Sequence, residues 1–253
     1  EMCIRDSFYS SAQLGQYTRA DQFKNIFSSN LTNVIQRVSY PVLSSIQNDP
    51  KRLKDAYRRI IKTTMLITFT CMIGLAAIAK PLIIVLIGEK WLQAVYFLQI
   101  VCFAGMLYPL HAINLNILQV KGRSDLFLNL EIIKKIIAVG PIVVGVFCGI
   151  EYMLWGSVLT SFISFFLNSY YSADLINYPT WQQIKDILPA LLVSGITALA
   201  MWSLTLVDMP MCFLLLLQCL LGLILSTFIY ERLQLEEYLE VKRIILSLLN
   251  RKK

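Results

Sequence analysis

Thr18, Gln22, Asn25, Ser29, Asn33 and Gln36 recur every three or four residues through an otherwise apolar segment, Leu14 to Ser45. At 100° per residue they form one stripe on a single helix, with Ala20, Phe23, Phe27, Leu31, Val34 and Val38 on its apolar faces. These amides and hydroxyls hydrogen-bond without carrying charge, so inside a membrane span the stripe should face a water-filled cavity or another helix. Arg19 and Arg37 lie five turns apart on one edge of the stripe, roughly 27 Å along the axis. Two readings stay open for them: snorkelling to opposite interfaces, or facing a substrate.

Other polar groups sit in apolar surroundings. His111 and Asn114 are one turn apart beside Pro109, a spacing read as a helix–helix hydrogen bond ahead of a ligand contact. Asn116 and Gln119 are read as satisfying the link that follows. Glu131 and Lys135 stand at i, i+4 and can neutralise each other, which leaves Lys134 without an intrahelical partner. A lysine in that position needs water or an anion, unless the helix protrudes into the aqueous phase by two turns. Asp21, Asp125, Glu131 and Glu151 are read as terminal or paired, so no carboxylate site for a proton or sodium ion is expected. A lone histidine makes no metal site, and no cofactor motif is present. No GxSxG, HExxH, Walker or GxGxxG pattern occurs and no long loop could house an active site, so the chain is expected not to be an enzyme.

The elements that carry these groups are membrane helices. The chain has 253 residues, 57% of them hydrophobic and only 15% charged, with a mean hydropathy of +0.61. Its long apolar runs leave no room for a soluble domain. The expected fold class is all-α: a polytopic bundle of about seven transmembrane helices. The spans are placed at Leu14 to Ser45, with Tyr40-Pro41 ending or kinking the helix; Thr63 to Ala79; Leu92 to Val120, with Pro109 inside; Leu126 to Ile150; Tyr152 to Tyr171; Ile187 to Val207; and Met211 to Tyr230. Lys80-Pro81 opens a short apolar piece that stops at Gly88. Asn48 to Lys62 is a charged link, Lys121 to Asp125 a tight turn, Asn177 to Asp186 a loop, and the tail from Glu231 an amphipathic helix with Leu235, Tyr238, Leu239, Ile245 and Leu248 on its apolar side. By domain, residues 1–7 read as a non-native leader, 8–230 as the bundle and 231–253 as a cytoplasmic tail.

Charge sets the orientation. The net charge is +7, and 17 of the 23 Lys and Arg fall in the 48–62 link, the 121–135 region, the loop near Lys185 and the tail. Seven alternating spans place all four on one side, and the positive-inside rule makes that side cytoplasmic. The same rule accounts for the basic balance without nucleic acid. Of six cysteines, Cys71, Cys102, Cys148, Cys212 and Cys219 lie in apolar runs and read as small hydrophobes. Only Cys3 lies outside them.

Four blocks in order, GQYTRA (15–20), YPVLSSIQNDPKRLKDAYRR (40–59), KPLIIVLIGEKW (80–91) and NLNILQVKGRSDLFLNLEIIKK (114–135), resemble the bacterial polysaccharide and lipopolysaccharide flippases. More narrowly they are similar to the WzxC-type branch of the multidrug/oligosaccharidyl-lipid/polysaccharide (MOP) exporter superfamily. The resemblance implies two six-helix bundles around a central cavity, often with extra helices, of which this chain would supply the C-terminal half. It implies movement of undecaprenyl-pyrophosphate-linked oligosaccharide across the bacterial inner membrane by alternating access. Arg19, Arg37 and Lys134 would then offer charge to the pyrophosphate, with Gln22, Asn25, Ser29 and Asn33 along the sugar path. The partners implied are the lipid-linked oligosaccharide and the membrane. A small-molecule exporter of the same superfamily and a membrane polysaccharide polymerase or glycosyltransferase are the rival readings. The former would want intramembrane acids and the latter a large external loop.

Overall fold

Helix starts are written into the sequence. Asp49 accepts the backbone N–H groups of Lys51 and Arg52, each at 3.1 Å, and Pro50 occupies the first turn, where its missing N–H costs nothing. Ser10 caps the preceding helix by accepting the Gln13 N–H at 3.3 Å. The computed structural model describes residues 10–250, with the side chains at position 11 and over 244–250 left aside. The suspected leader, Cys3 and the side chains of Ile245 and Leu248 therefore lie outside the description.

The described residues form α1 (Ser11–Ser45), α2 (Pro50–Ala77), α3 (Ala79–Ile87), α4 (Leu92–Gly105), α5 (Tyr108–Val120), α6 (Ser124–Cys148), α7 (Ile150–Ile176), α8 (Thr180–Ser203), α9 (Met211–Arg232) and α10 (Glu236–Asn250). All-α architecture is thus as expected. Five segments are long and apolar enough to cross a membrane: Pro50–Ala77, Glu89–Val120, Ile150–Ile176, Thr180–Leu206 and Met211–Arg232. α1 and α6 have the length but are not among them: α1 carries its polar stripe, and α6, though apolar on average, carries the charges of Asp125, Glu131, Lys134 and Lys135. Seven passages is therefore an approximate count.

Several boundaries differ from expectation. Pro41 does not end α1, which runs on to Ser45; one turn from the terminus a proline forfeits a single backbone bond. The charged 48–62 link is helical from Pro50, continuous with the span it leads into. The expected loop at 177–186 is short, since α8 begins at Thr180 after a left-handed Asn177. The Leu92 to Val120 passage is two helices, broken at Met106–Leu107 with Pro109 in the first turn of α5.

α2 lies at the centre. Leu53, Tyr57, Ile61, Met65 and Met72 are fully buried at multiples of about four residues, one stripe that packs against α1, α4 and α8. α9 is the most hydrophobic of the five candidate spans, and Phe213, Leu216, Leu220, Leu223 and Phe228 face outward, as suits a helix against lipid. α6 hangs on α7, with only Leu130 and Gly145 buried along its length. Close approach is possible because Gly156 has no Cβ: one there would stand 2.9 Å from Pro141 Cβ.

The two ends of the bundle are chemically distinct. At one end Lys121 Nζ donates to Gln47 O at 3.0 Å, Lys54 Nζ to Asn177 O at 2.5 Å, and Arg58 grips Asp186 through Nε and Nη2 at 2.5 and 2.7 Å. Lys62 pairs with Glu237 and Arg59 with Glu240, docking α10 on the start of α2. Beside them, burial and the Asp186 carboxylate push the Tyr178 phenol up, which keeps it a donor to Asp186 at 2.6 Å. In the 121–125 link, Arg123 holds the Asp125 carboxyl down at about 2, so both charges persist at neutral pH. At the other end Gln16 donates to Lys90 O at 2.8 Å and accepts the Ala94 N–H at 3.0 Å, and Trp155 Nε1 donates to Tyr96 OH at 3.3 Å. The basic links expected on one side do meet at one end.

Candidate functional site

The site begins with the break between α4 and α5. Proline has no N–H, so Pro109 cannot donate to the Gly105 carbonyl one turn before it. Ser28 of α1 does so instead, at 3.1 Å, and Ser161 of α7 donates to the Ala104 carbonyl at 2.9 Å. Two helices are thereby tied to the break. Gly105 also makes room for Lys24, whose Cδ would lie 3.0 Å from a Cβ at that position.

Around this break α1, α4, α5, α6 and α7 enclose a cavity of about 330 Å³. Its charged lining comes from two helices. On α1, Asp21 accepts from Lys24 Nζ at 2.6 Å and from Asn25 Nδ2 at 2.7 Å; Lys24 is buried and its ammonium stands 5.3 Å from the centre of the Tyr108 ring. On α6, Glu131 pairs with Lys134, and Lys135 also lines the cavity. Three lysines against two carboxylates leave one net positive charge. His111 closes the wall with Ser161 and Ser164.

Behind His111 lies a buried polar layer. His111 Nε2 meets Ser161 Oγ at 3.3 Å and its Nδ1 meets Asn168 Nδ2 at 3.5 Å. Asn114 Oδ1 accepts from the Tyr57 hydroxyl and, at 3.3 Å, from Ser172. The expected helix–helix role of His111 and Asn114 is therefore what the structure shows, and the histidine faces the cavity as well. Asn116 does not serve the link as expected, but donates to Ser39 of α1 at 2.8 Å.

Of the seven residues expected to contact substrate, Lys134 alone lines the cavity. Arg19 donates to Gln22 Oε1 at 3.0 Å and lies over the Trp91 ring. Ser29 donates to Asn25 at 3.3 Å; Asn33 and Arg37 are exposed. The buried face of α1 follows Ala20, Lys24, Ser28, Ser39 and Leu43, so the polar stripe lies about 110° around the helix from it and faces away from the bundle. One expectation is corrected. Lys134, not Lys135, is the partner of Glu131, although both lysines line the cavity. Asp21, expected to be terminal or paired, is paired with Lys24, three turns inside α1 and on the cavity wall. Lys24 was missed altogether, although its four-residue spacing from Ala20 and Ser28 marks it as inward-facing. Among the described residues no cluster of His, Cys, Asp or Glu could hold a metal, and the five described cysteines are free.

Residues 6–96 match a family model described as polysaccharide biosynthesis protein. The teichuronic acid biosynthesis protein TuaB of Bacillus subtilis is 29% identical over 126 residues, 50% of this chain and 26% of its own length. The lipopolysaccharide biosynthesis protein WzxC of Escherichia coli is 25% identical over 131 residues, 52% of this chain and 27% of its own. The succinoglycan biosynthesis transport protein ExoT of Rhizobium meliloti is 23% identical, over 61% of this chain and 32% of its own length. The chain thus spans about a quarter to a third of the curated relatives it matches. In fold it is similar to the lipid II flippase MurJ in an inward closed conformation, with a TM-score of 0.70 and 21% identity over 90% of this chain and 50% of that one. Family match and relatives point the same way: the chain is similar to proteins of surface-polysaccharide biosynthesis, and it has the multi-pass helical fold seen in MurJ.

Proposed function

We propose that this chain forms one half of a flippase that moves undecaprenyl-pyrophosphate-linked oligosaccharide across the bacterial inner membrane, with its basic end in the cytoplasm. The observation that carries the reading is the cavity: a pocket of net positive charge, inside a helical membrane body, lined by Lys24, Lys134 and Lys135. A diphosphate crossing a bilayer needs such a hydrated, cationic path, while its lipid tail stays among the acyl chains. The names of the relatives, all concerned with surface polysaccharides or lipid II, support the same class of cargo. Arg19 and Arg37 join Lys134 in offering charge. The outward stripe of Gln22, Asn25, Ser29 and Asn33 then lines the sugar path against a second, facing bundle. An exporter of small cations fits less well, because Asp21 and Glu131 are each occupied by a lysine of their own helix.

The test is complementation of a strain lacking its surface-polysaccharide flippase by the complete protein that contains this chain. Lys24→Ala and Lys134→Ala should each cut surface polysaccharide about tenfold or more, equivalent to some 1.4 kcal/mol of lost interaction, at unchanged protein level. Normal export with both changes combined refutes the cation assignment.

A further inference from the structure

Ser161 has one hydroxyl hydrogen, and it goes to the Ala104 carbonyl at 2.9 Å. Its oxygen can therefore only accept from His111, so Nε2 carries the ring proton. On the other side Asn168 presents its NH2 group to Nδ1, which must then be the bare, accepting nitrogen. The neighbours of His111 thus select one neutral tautomer. They also leave a mismatch: Asn168 is wholly buried, and its Oδ1 has no donor. One proton added at Nδ1, with a half-turn of the amide, lets that oxygen accept the new N–H.

We propose that His111 is a proton-binding site linked to occupancy of the cavity, taking up one proton at Nδ1 when a diphosphate anion enters. This rests on the flippase reading above. Sharing the cavity with the ring are Tyr17, Asp21 and Lys24 on α1, Tyr108 on its own helix, and Glu131, Lys134 and Lys135 on α6. α4 contributes Val101 and Ala104 to the same cavity, and α7 contributes the neutral Ser161 and Asn168 beside the ring. Tyr57 of α2 reaches the layer through Asn114. These groups sum to one positive charge, which opposes a second on the imidazole. A bound diphosphate reverses the sign of the cavity and removes that opposition. The proton arrives on the nitrogen with a free electron pair, no bond is broken, and the ring becomes imidazolium with Ser161 and the turned Asn168 as its two acceptors.

His111 is the chain's single histidine, so its signals are unambiguous once purification avoids a histidine tag. In 15N-histidine spectra of the full chain in phospholipid nanodiscs near neutral pH, the ring should show the neutral Nε2–H form. Saturation with farnesyl pyrophosphate should convert it to imidazolium. Calorimetry of the same titration in buffers of different ionisation heat should show roughly one proton more taken up by the wild type than by His111→Gln, both compared at saturation. A ring that starts as Nδ1–H, or stays neutral under saturating ligand, overturns the proton site and leaves the flippase reading standing. Absence of any binding heat or spectral change with farnesyl pyrophosphate overturns both.

Discussion

Lys134 illustrates how a single residue's role depends on which neighbour it faces. The spacing of Glu131 to Lys135 favours i, i+4 pairing, but i+3 and i+4 positions are both within reach on a helix and Lys134 is the one that takes the carboxylate. Lys134 keeps 15% of its side chain accessible and holds Glu131 as its counter-ion. An entering anion must compete with that carboxylate. Glu131→Gln should therefore tighten binding of farnesyl pyrophosphate by about three- to tenfold, measured by calorimetry, since a neutral amide competes less for the ammonium. Weaker or unchanged binding would show that Glu131 does not restrain the lysine. The polar identity of these residues was legible in the sequence; their pairing was not, because it depends on the packing of α6 against α7. Lys24 shows the converse. Its inward direction follows from the period of its own helix, but its burial depends on Gly105, a residue 81 positions away.

Helices meet here through small residues and through carbonyls that the backbone has left unpaired. Gly156 against Pro141 is a close crossing of α6 on α7. A methyl group there faces Pro141 Cβ at 2.9 Å and its Cα at 3.2 Å, and neither can swing aside. Gly156→Ala should force the two helices apart and cost about 1–3 kcal/mol, read as a lower midpoint of thermal unfolding in detergent. Gly222→Ala, whose nearest neighbour is the flexible Met201 side chain, should shift that midpoint far less. Equal shifts would mean that α6 relaxes freely on α7. At the basic end, Asp186 takes two bonds from Arg58 and one from Tyr178. Asp186→Asn removes the charge that both rely on, with an expected loss of about 2 kcal/mol in the same measurement. Element existence was readable from apolar runs. Element ends were less so: Tyr40-Pro41, read as ending or kinking the helix, does not end it, while Pro109, read as lying inside one span, sits just after a full break. The difference lies in supply, since Ser28 and Ser161 are placed to satisfy the carbonyls freed at the second site.

At the scale of the whole molecule, the division of charge between two ends is the property that carries furthest. The cation-rich links were expected on one side from alternation and counting alone, and the contacts among Gln47, Lys121, Lys54, Asn177, Arg58 and Asp186 gather them there. What the charge pattern could not supply was the α1 boundary. A helix too polar to register as a span by apolarity nonetheless runs between the two ends, from Gln16 beside Lys90 to the turn at Gln47 beside Lys121. Cys148 is exposed at the end of α6 remote from the 121–125 link, and Arg123 is exposed within it. With every other cysteine replaced, a membrane-impermeant maleimide added to intact cells, with the outer membrane opened where present, should label Cys148 and leave Arg123→Cys untouched until the inner membrane is permeabilised. Positive-inside insertion predicts that order because six cations lie at the start of α2 alone. The reverse order places the basic end outside and removes the cytoplasmic assignment of the tail. Labelling of both from one side is a stronger result, because it requires α6 not to cross the membrane and takes the cavity it lines out of any transport path.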